Sequence, residues 1–342
     1  MIHLQSLLVG VAMLLTVAFP RPAAAKDGVL RAGIIGCDTS HAIEFTKRIN
    51  DPTAADARGG VEVTVAYPGG SPDLPESQDR VEGYVKQLKE KGIKIVDSLA
   101  ELAKECDVVL LESVDGRPHL EQFRAVAHGQ PIFVDKPAAG SLIDVLKLFQ
   151  LADETHTPVY TSSALRFCTE VEDAAANKSI GNLLGCETVG PMATESHHPD
   201  LFWYGIHGVE PLYTIMGPGC DSVSRTDSPL ASVVVGKWKD GRIGSYRGLK
   251  KGYAFALAVF GDKGASQHNV AVSYDKSVNE ICKFLTSGKP PVDRDTMIEI
   301  YTFMEAADES KRQDGKPVKL SDVLQTAQDQ AAATSATAAG GK

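Results

Sequence analysis

The 342-residue chain has little that would take it to nucleic acid, to structural zinc or into a bilayer. Aromatic residues make up 6% and the net charge is −9, with no basic stripe interleaved with aromatics. Neither nucleic acid nor an anionic membrane surface is therefore expected as the main partner. The six cysteines (Cys37, Cys106, Cys168, Cys186, Cys220 and Cys282) include no CxxC pair and no Cys/His finger spacing, which argues against structural zinc. Cys37, Cys106 and Cys186 lie within or beside apolar runs and are expected as buried free thiols, although export would permit disulfides. The apolar run "LLVGVAMLLTVAF" is short for a membrane span and leads to Ala23-Ala24-Ala25, a small-residue cleavage signal. Residues 1–25 are predicted to be a secretory signal peptide, leaving a periplasmic or secreted chain with no membrane attachment. The leader has no lysine or arginine in Met1–Ser6, no twin arginine, and no cysteine for a lipid anchor.

Glycine is also missing where a nucleotide-binding turn would need it. "GIIGCDTSH", Gly33 to His41, starts as such a turn should, with an apolar strand running into Gly36. In a dinucleotide site a second glycine lets the backbone approach the pyrophosphate and a third lets helix pack on strand. Asp38 and His41 stand at those positions. A carboxylate there repels a diphosphate unless it turns away or caps the helix, and Asp38, Thr39 and Ser40 are all good N-cap types. The acid expected at the end of the second strand, for the ribose hydroxyls, is replaced by about Tyr67. A working modified site and a turn kept only for the fold both remain open at this point.

What is present alternates strand and helix from Val29. "VLRAGIIG", "VEVTVAY", "IKIV", "DVVLLES", "PIFVDKP" and "PVYTSSA" read as continuous apolar strands, with "AIEFTKRIN", "DRVEGYVKQLKEKG", "SLAELAKEC" (Ser98 a candidate N-cap), "PHLEQFRAVAHG" and "SLIDVLKLFQLADETH" as helices between them. That is the signature of a parallel sheet covered on both faces. After Gly217 the strands alternate, and Asp240-Gly241 marks a hairpin. The expected fold class is α/β. A doubly wound parallel sheet occupies 26–165 and an α+β domain with a largely antiparallel, open-faced sheet occupies 166–324. The alanine-rich end, 325–342, is expected as a low-complexity tail that frays.

Two further stretches carry chemistry. "FVDKPAAGSL" places Lys136 at the carboxyl end of a buried strand, where ligands of open α/β sheets bind. A partly desolvated lysine there holds a substrate oxygen or joins a proton relay, unless it is simply a surface residue. "ESHHPDLFWYGIHGVEPLYTIMG" opens a helix at Pro199-Asp200 and sets Asp200, Trp203 or Tyr204, and His207 on about one face. His207 is a candidate acid/base there. His197 and His198 precede it, and with Glu195 and Asp200 they offer metal-ligating atoms. Adjacent histidines on a loop have no diagnostic ligand spacing, so no metal is assigned. A capped helix over a satisfied core histidine is the bland alternative.

These residues together resemble the Gfo/Idh/MocA family, named for glucose–fructose oxidoreductase and inositol dehydrogenase. "VLRAGIIGC", "RPHLEQFRAVAHGQPIFVDKP", "SSALRF", "GIHGVEPLYTIMG" and the antiparallel second domain carry the resemblance, which spans nearly the whole mature chain. It implies a Rossmann domain that binds NAD or NADP, and hydride transfer to or from a sugar, glycoside or cyclitol hydroxyl. It also implies a homo-oligomer built through the second-domain sheet. Lys136 matches the lysine of the family's Glu-Lys-Pro motif, His207 the acid/base histidine, and His119 the histidine near the cofactor. The family's aspartate four residues before that histidine is Trp203 here, so Asp200 is taken as its substitute. The resemblance places Gly36, Cys37, Asp38, Thr39, Ser40, His41 and Ser113, with His119 and Lys136, at the cofactor. His197, His198, Trp203, Tyr204 and Arg166 fall to the substrate. The competing reading is a non-redox, carbohydrate-active or carbohydrate-binding descendant, with or without a metal at the His197/His198 loop.

Overall fold

The computed structural model describes residues 28–53 and 60–340. The proposed leader lies outside them. Short Val/Ile-rich runs, fully buried in the last three, form a six-stranded parallel sheet: β1 (Leu30–Ile35), β2 (Val61–Tyr67), β3 (Lys94–Ile95), β4 (Val108–Leu111), β5 (Ile132–Val134) and β6 (Val159–Thr161). The order is β3-β2-β1-β4-β5-β6, so the strand sequence reverses between β1 and β4. That reversal opens a crevice at the carboxyl ends of the strands, the place where such sheets take ligands. Ile35 pairs with Tyr67 and Leu111, and Leu111 with Val134, so the four strand ends finish level. Helices α1 (Ser40–Ile49), α2 (Pro75–Glu90), α3 (Leu99–Glu105), α4 (His119–Val126) and α5 (Leu142–Glu154) cover the faces. Thr39, Ser98 and Ser141 each cap a helix with a side-chain oxygen, as the sequence suggested for Ser98.

After a 3-10 turn at Ala164–Phe167 and α6 (Thr169–Ala176), the chain builds a second sheet. Its strands are β7 (Leu183–Pro191), β8 (Cys220–Asp227), β9 (Ala231–Trp238), β10 (Ile243–Leu249), β11 (Ala256–Gly261), β12 (Gly264–Asn269) and β13 (Val318–Lys319). The order is β12-β11-β7-β10-β9-β8-β13, antiparallel except where β10 runs parallel to β7. Asp240-Gly241 does turn the β9–β10 hairpin, within the connection Lys239–Arg242. A π-turn at Leu201–Gly205 leads into α7 (Ile206–Met216), which lies on β7 and β10. Gly208 lets it sit so low: a Cβ there would be 2.1 Å from the Tyr246 ring.

Helices α8 (Asp275–Ser287), α9 (Arg294–Arg312) and α10 (Leu320–Gly340) close the chain. The second portion does not stay apart from the first, because α8 packs against α1 and β5, and α10 against α5. The alanine-rich end is thus helical through Gly340 rather than frayed. Alanine is the strongest helix former, and Ala327 and Ala331 are buried. All six cysteines are free thiols, five of them buried.

Gly36 is the position on which the first crevice turns. Its φ is +94°, and a Cβ would lie 2.3 Å from the Ser113 backbone nitrogen. Both the left-handed backbone and the close approach need glycine. Gly36→Ala is expected to cost roughly 3 kcal/mol or more in urea unfolding. A loss below about 1 kcal/mol would mean that the Ser113 segment yields instead.

Candidate active site

The level ends of β1, β4 and β5 form one wall of a cleft of about 370 Å³, and the start of α7 with the loops after β10 and β12 forms the other. Thr39, Ser40, His41, Val114, Lys136 and two residues of α2, Glu76 and Arg80, line the first wall. Trp203, Tyr204, His207, Tyr253, Phe255 and Tyr274 line the second.

The turn into α1 answers the question raised by Asp38. Gly36 N–H donates to Tyr67 O at 3.0 Å and Cys37 N–H to Pro68 O at 2.7 Å, continuing the sheet pairing beyond the strands. Asp38 then folds inward and is wholly buried. One oxygen accepts from Ser77 Oγ at 2.7 Å and the other from Val114 N–H at 3.0 Å. Burial pushes its carboxyl up, and these hydrogen bonds oppose that. Its charge is therefore not presented to the cleft. Thr39 is the cap of α1, accepting from His41 N–H, and Ser40 opens the helix.

His41, at the third-glycine position, is set by β5. Its Nδ1 lies 2.7 Å from Asp135 Oδ2, with its ring stacked on Phe45 and edge-on to Tyr274. Burial raises the Asp135 carboxyl, but His41 and Lys136 outweigh it and hold the group below the usual range. Lys136 follows. It is 9% exposed, its Nζ sits 6.0 Å from the centre of the Tyr204 ring, and burial lowers its pKa against the pull of Asp135.

His207 faces Lys136 from α7. Its Nδ1 is 2.7 Å from Ser163 Oγ, just after β6. Ser163 N–H donates to Glu210 Oε1 at 3.3 Å, and Glu210 Oε2 accepts from Arg166 Nε at 2.6 Å. This buried chain, Arg166–Glu210–Ser163–His207, fixes the imidazole. Burial first, then the Lys136 and His41 charges, hold His207 well below an ordinary histidine. It is neutral at neutral pH, with a ring nitrogen able to act as a hydrogen-bond acceptor.

Several sequence-derived assignments need correction. Asp200 does not reach His207. It accepts from Arg225 Nη2 and Lys311 Nζ, each at 2.7 Å, because the π-turn separates it from the face of α7. Arg166 does not line the cleft but positions His207 through Glu210. His197 and His198 do not line it either. Both donate to Glu195 at 2.7 Å, and His198 Nε2 approaches Asp115 at 3.1 Å and Gly116 N at 3.2 Å. Burial works against the Glu195 carboxyl, yet hydrogen bonds from His198 and His197 hold it at about 2. The loop thus clasps the segment after β4, and among the described residues no group of three or more ligands is placed to hold a metal. Of the cofactor set, Thr39, Ser40, His41 and Lys136 line the cleft, while Gly36, Cys37, Asp38, Ser113 and His119 support it from behind. Ser113 donates to Gln122. His119 is fully buried between Ser113 O (2.8 Å) and Ala138 O (3.3 Å).

Trp203 and Tyr204 do line the cleft, as expected. The sequence reading missed Ser163, Asp135, Arg80, Tyr253 and Tyr274 as members of the site. Ser163 and Asp135 sit inside stretches that were singled out, whereas the others come from loops and a helix with no local signal.

In an NMR titration, His207 is expected to protonate only well below 6.5, and Lys136→Met is expected to move that step upward by removing a neighbouring charge. On the acid side of 6.5 the unfolded chain takes up a proton that folded His207 refuses, so this group contributes a loss of stability as pH falls. A His207 that titrates at 6.5 and ignores Lys136 would break the proposed coupling.

The fold and this geometry can be set beside known proteins. No family model matches the chain. A Streptococcus pneumoniae protein named "uncharacterized oxidoreductase" is 23% identical over 223 residues, covering 60% of this chain and 54% of its own. The chain thus spans about half the length of that curated relative. Among solved structures, a probable dehydrogenase from Thermotoga maritima superposes with a TM-score of 0.69 at 22% identity, over 86% of this chain and all of that one. A myo-inositol dehydrogenase from Lactobacillus casei, solved with NAD(H) and myo-inositol, gives 0.66 at 16%, over 85% and 96%. One from Corynebacterium glutamicum gives 0.67 at 16%, over 85% and 99%. These structural neighbours are named as dehydrogenases, and at these identities the likeness establishes the fold: a Rossmann-like parallel sheet followed by a mixed-sheet domain.

Proposed function

We propose that this chain is an oxidoreductase that moves a hydride between a hydroxyl-bearing carbon of a sugar, glycoside or cyclitol and a bound NAD or NADP. The observation that carries the reading is Lys136 and His207 facing one another in a single cleft, one just past the carboxyl end of β5 in a dinucleotide-type sheet, the other on the covering helix. The inward fold of Asp38 supports the cofactor, because it removes the charge that would repel a diphosphate. Thr39 and Ser40 at the start of α1, with Lys136, are the residues that would hold the group. When bound, a nicotinamide supplies the hydride acceptor and carries the electronic change.

The chain supplies the rest. His207 accepts the hydroxyl proton on its free Nε2, while Ser163 fixes the other ring nitrogen. Lys136 donates to the same substrate oxygen and stabilises the charge that gathers there. Trp203, Tyr204 and Tyr253 offer apolar faces to a ring-shaped substrate and narrow the entrance to water. His41 and Asp135 keep a buried hydrogen-bonded pair beside the lysine.

The same reading extends to context. The leader argues for export to the periplasm or beyond. The second sheet leaves Val235, Ile243 and Phe260 exposed on three of its strands, which supports a homo-oligomer formed through that face.

Denaturing the purified protein and analysing the released small molecules by mass spectrometry is expected to yield a nicotinamide dinucleotide, or else added NAD(H) or NADP(H) is expected to bind. With a substrate identified, Lys136→Ala and His207→Ala are each expected to lower turnover by about 10²-fold or more. Undiminished turnover in both variants, or no dinucleotide retained or bound, would sink the proposal.

A further inference from the structure

Two cations of the cleft, Arg80 and Lys136, make no ion pair with a carboxylate among the described residues. Every other arginine among the described residues lies in an ion pair, but Arg80 lies in none. Lys136, nine-tenths buried, has no ion pair among the described residues either. Both line the same cleft, and their mutual repulsion adds to the forces that disfavour the lysine charge. Glu76 is the single acid in that lining and makes no ion pair with Arg80. Asp135, the nearest carboxylate to Lys136 in sequence, is engaged by His41.

The start of α1, in the same lining, adds to this field. The amides of Gly36 and Cys37, at the usual glycine turn, are engaged by Tyr67 O and Pro68 O. The first turn of the ten-residue α1 still brings Thr39 and Ser40 to the cleft, and a helix start carries partial positive charge. An exposed guanidinium, a buried ammonium and a helix start in one lining need an anion to become mutually favourable.

We propose that Arg80, Lys136 and the first turn of α1 form a seat for an oxyanion, a phosphate or a carboxylate group, on the first-domain wall of the cleft. The seat replaces recognition lost with the second glycine. Its ligand is either the diphosphate of the dinucleotide or an acidic group on the substrate, such as that of a sugar acid. The proposal rests on the oxidoreductase reading only for the identity of the first of these.

Arg80 is exposed and its replacement leaves the core intact, so the test is equilibrium binding to the purified chain and to Arg80→Ala, by calorimetry, with NADH, gluconate and neutral myo-inositol. The expected result is a tenfold or greater weakening of NADH or of gluconate, with myo-inositol unaffected. A loss confined to NADH assigns the seat to the cofactor diphosphate, and a loss confined to gluconate assigns it to the substrate. If the unaltered chain binds gluconate through Arg80 but no NADH or NADPH, the seat stands and the oxidoreductase reading falls. Equal binding of every ligand by the two proteins, or no binding of either anion to the unaltered chain, overturns the seat.

Discussion

The inward turn of Asp38 governs the geometry of the cleft. Its two hydrogen bonds tie the β1–α1 turn to α2 through Ser77 and to the segment after β4 through Val114. A turn, a helix and a loop are thereby held as one body. A buried carboxylate is costly, and here two donors and a tight glycine turn offset the cost. With Asp38 turned inward, Thr39 is free to cap α1 and Ser40 and His41 are directed to the cleft. With His41 there, Asp135 has a partner, and the lysine beside it stands in a defined field. A residue that looks like damage to a nucleotide-binding motif is instead the tie that organises what replaced it.

The joint between the two sheets is held by a second polar assembly. Ser71 and Arg117 both bond Asp115, and Arg117 also holds Asp73. His198 reaches the same Asp115 from the far side, with Glu195 behind it. The Asp115 carboxyl is kept far below its usual range by these donors, despite its burial. The pair of adjacent histidines therefore serves the junction between domains. The Arg225 cluster does similar work deeper in the second domain, where Asp200, Asp227 and Asp308 surround a guanidinium with no exposed side-chain surface.

Much of the architecture was legible because it rests on short-range signals. Continuous Val/Ile runs separated by amphipathic helices specify a covered parallel sheet, and serine caps and an Asp-Gly turn mark boundaries locally. Lys136 and His207 were legible too, since both belong to recognisable stretches. Asp200 was misplaced because an ideal helical period was assumed from Pro199 onward, whereas the chain makes a π-turn at Leu201–Gly205 that rotates what precedes it. Arg80, Tyr253 and Tyr274 come from a solvent-facing helix and two loops, so only tertiary packing assigns them. The alanine-rich end was misread for a related reason: composition describes the isolated segment, while α5 and α9 supply the surface that orders it.

That returning helix has a mechanical consequence. The chain leaves the first sheet after β6, comes back to it with α8 against α1, and returns again with α10 along α5. The two halves are thus laced together rather than joined by a single strap. A wide hinge motion would have to strip both returning helices from their seats. Traffic through the cleft falls instead to the aromatic rim, where Tyr253, at 71% exposure, is the most exposed large apolar side chain among the described residues.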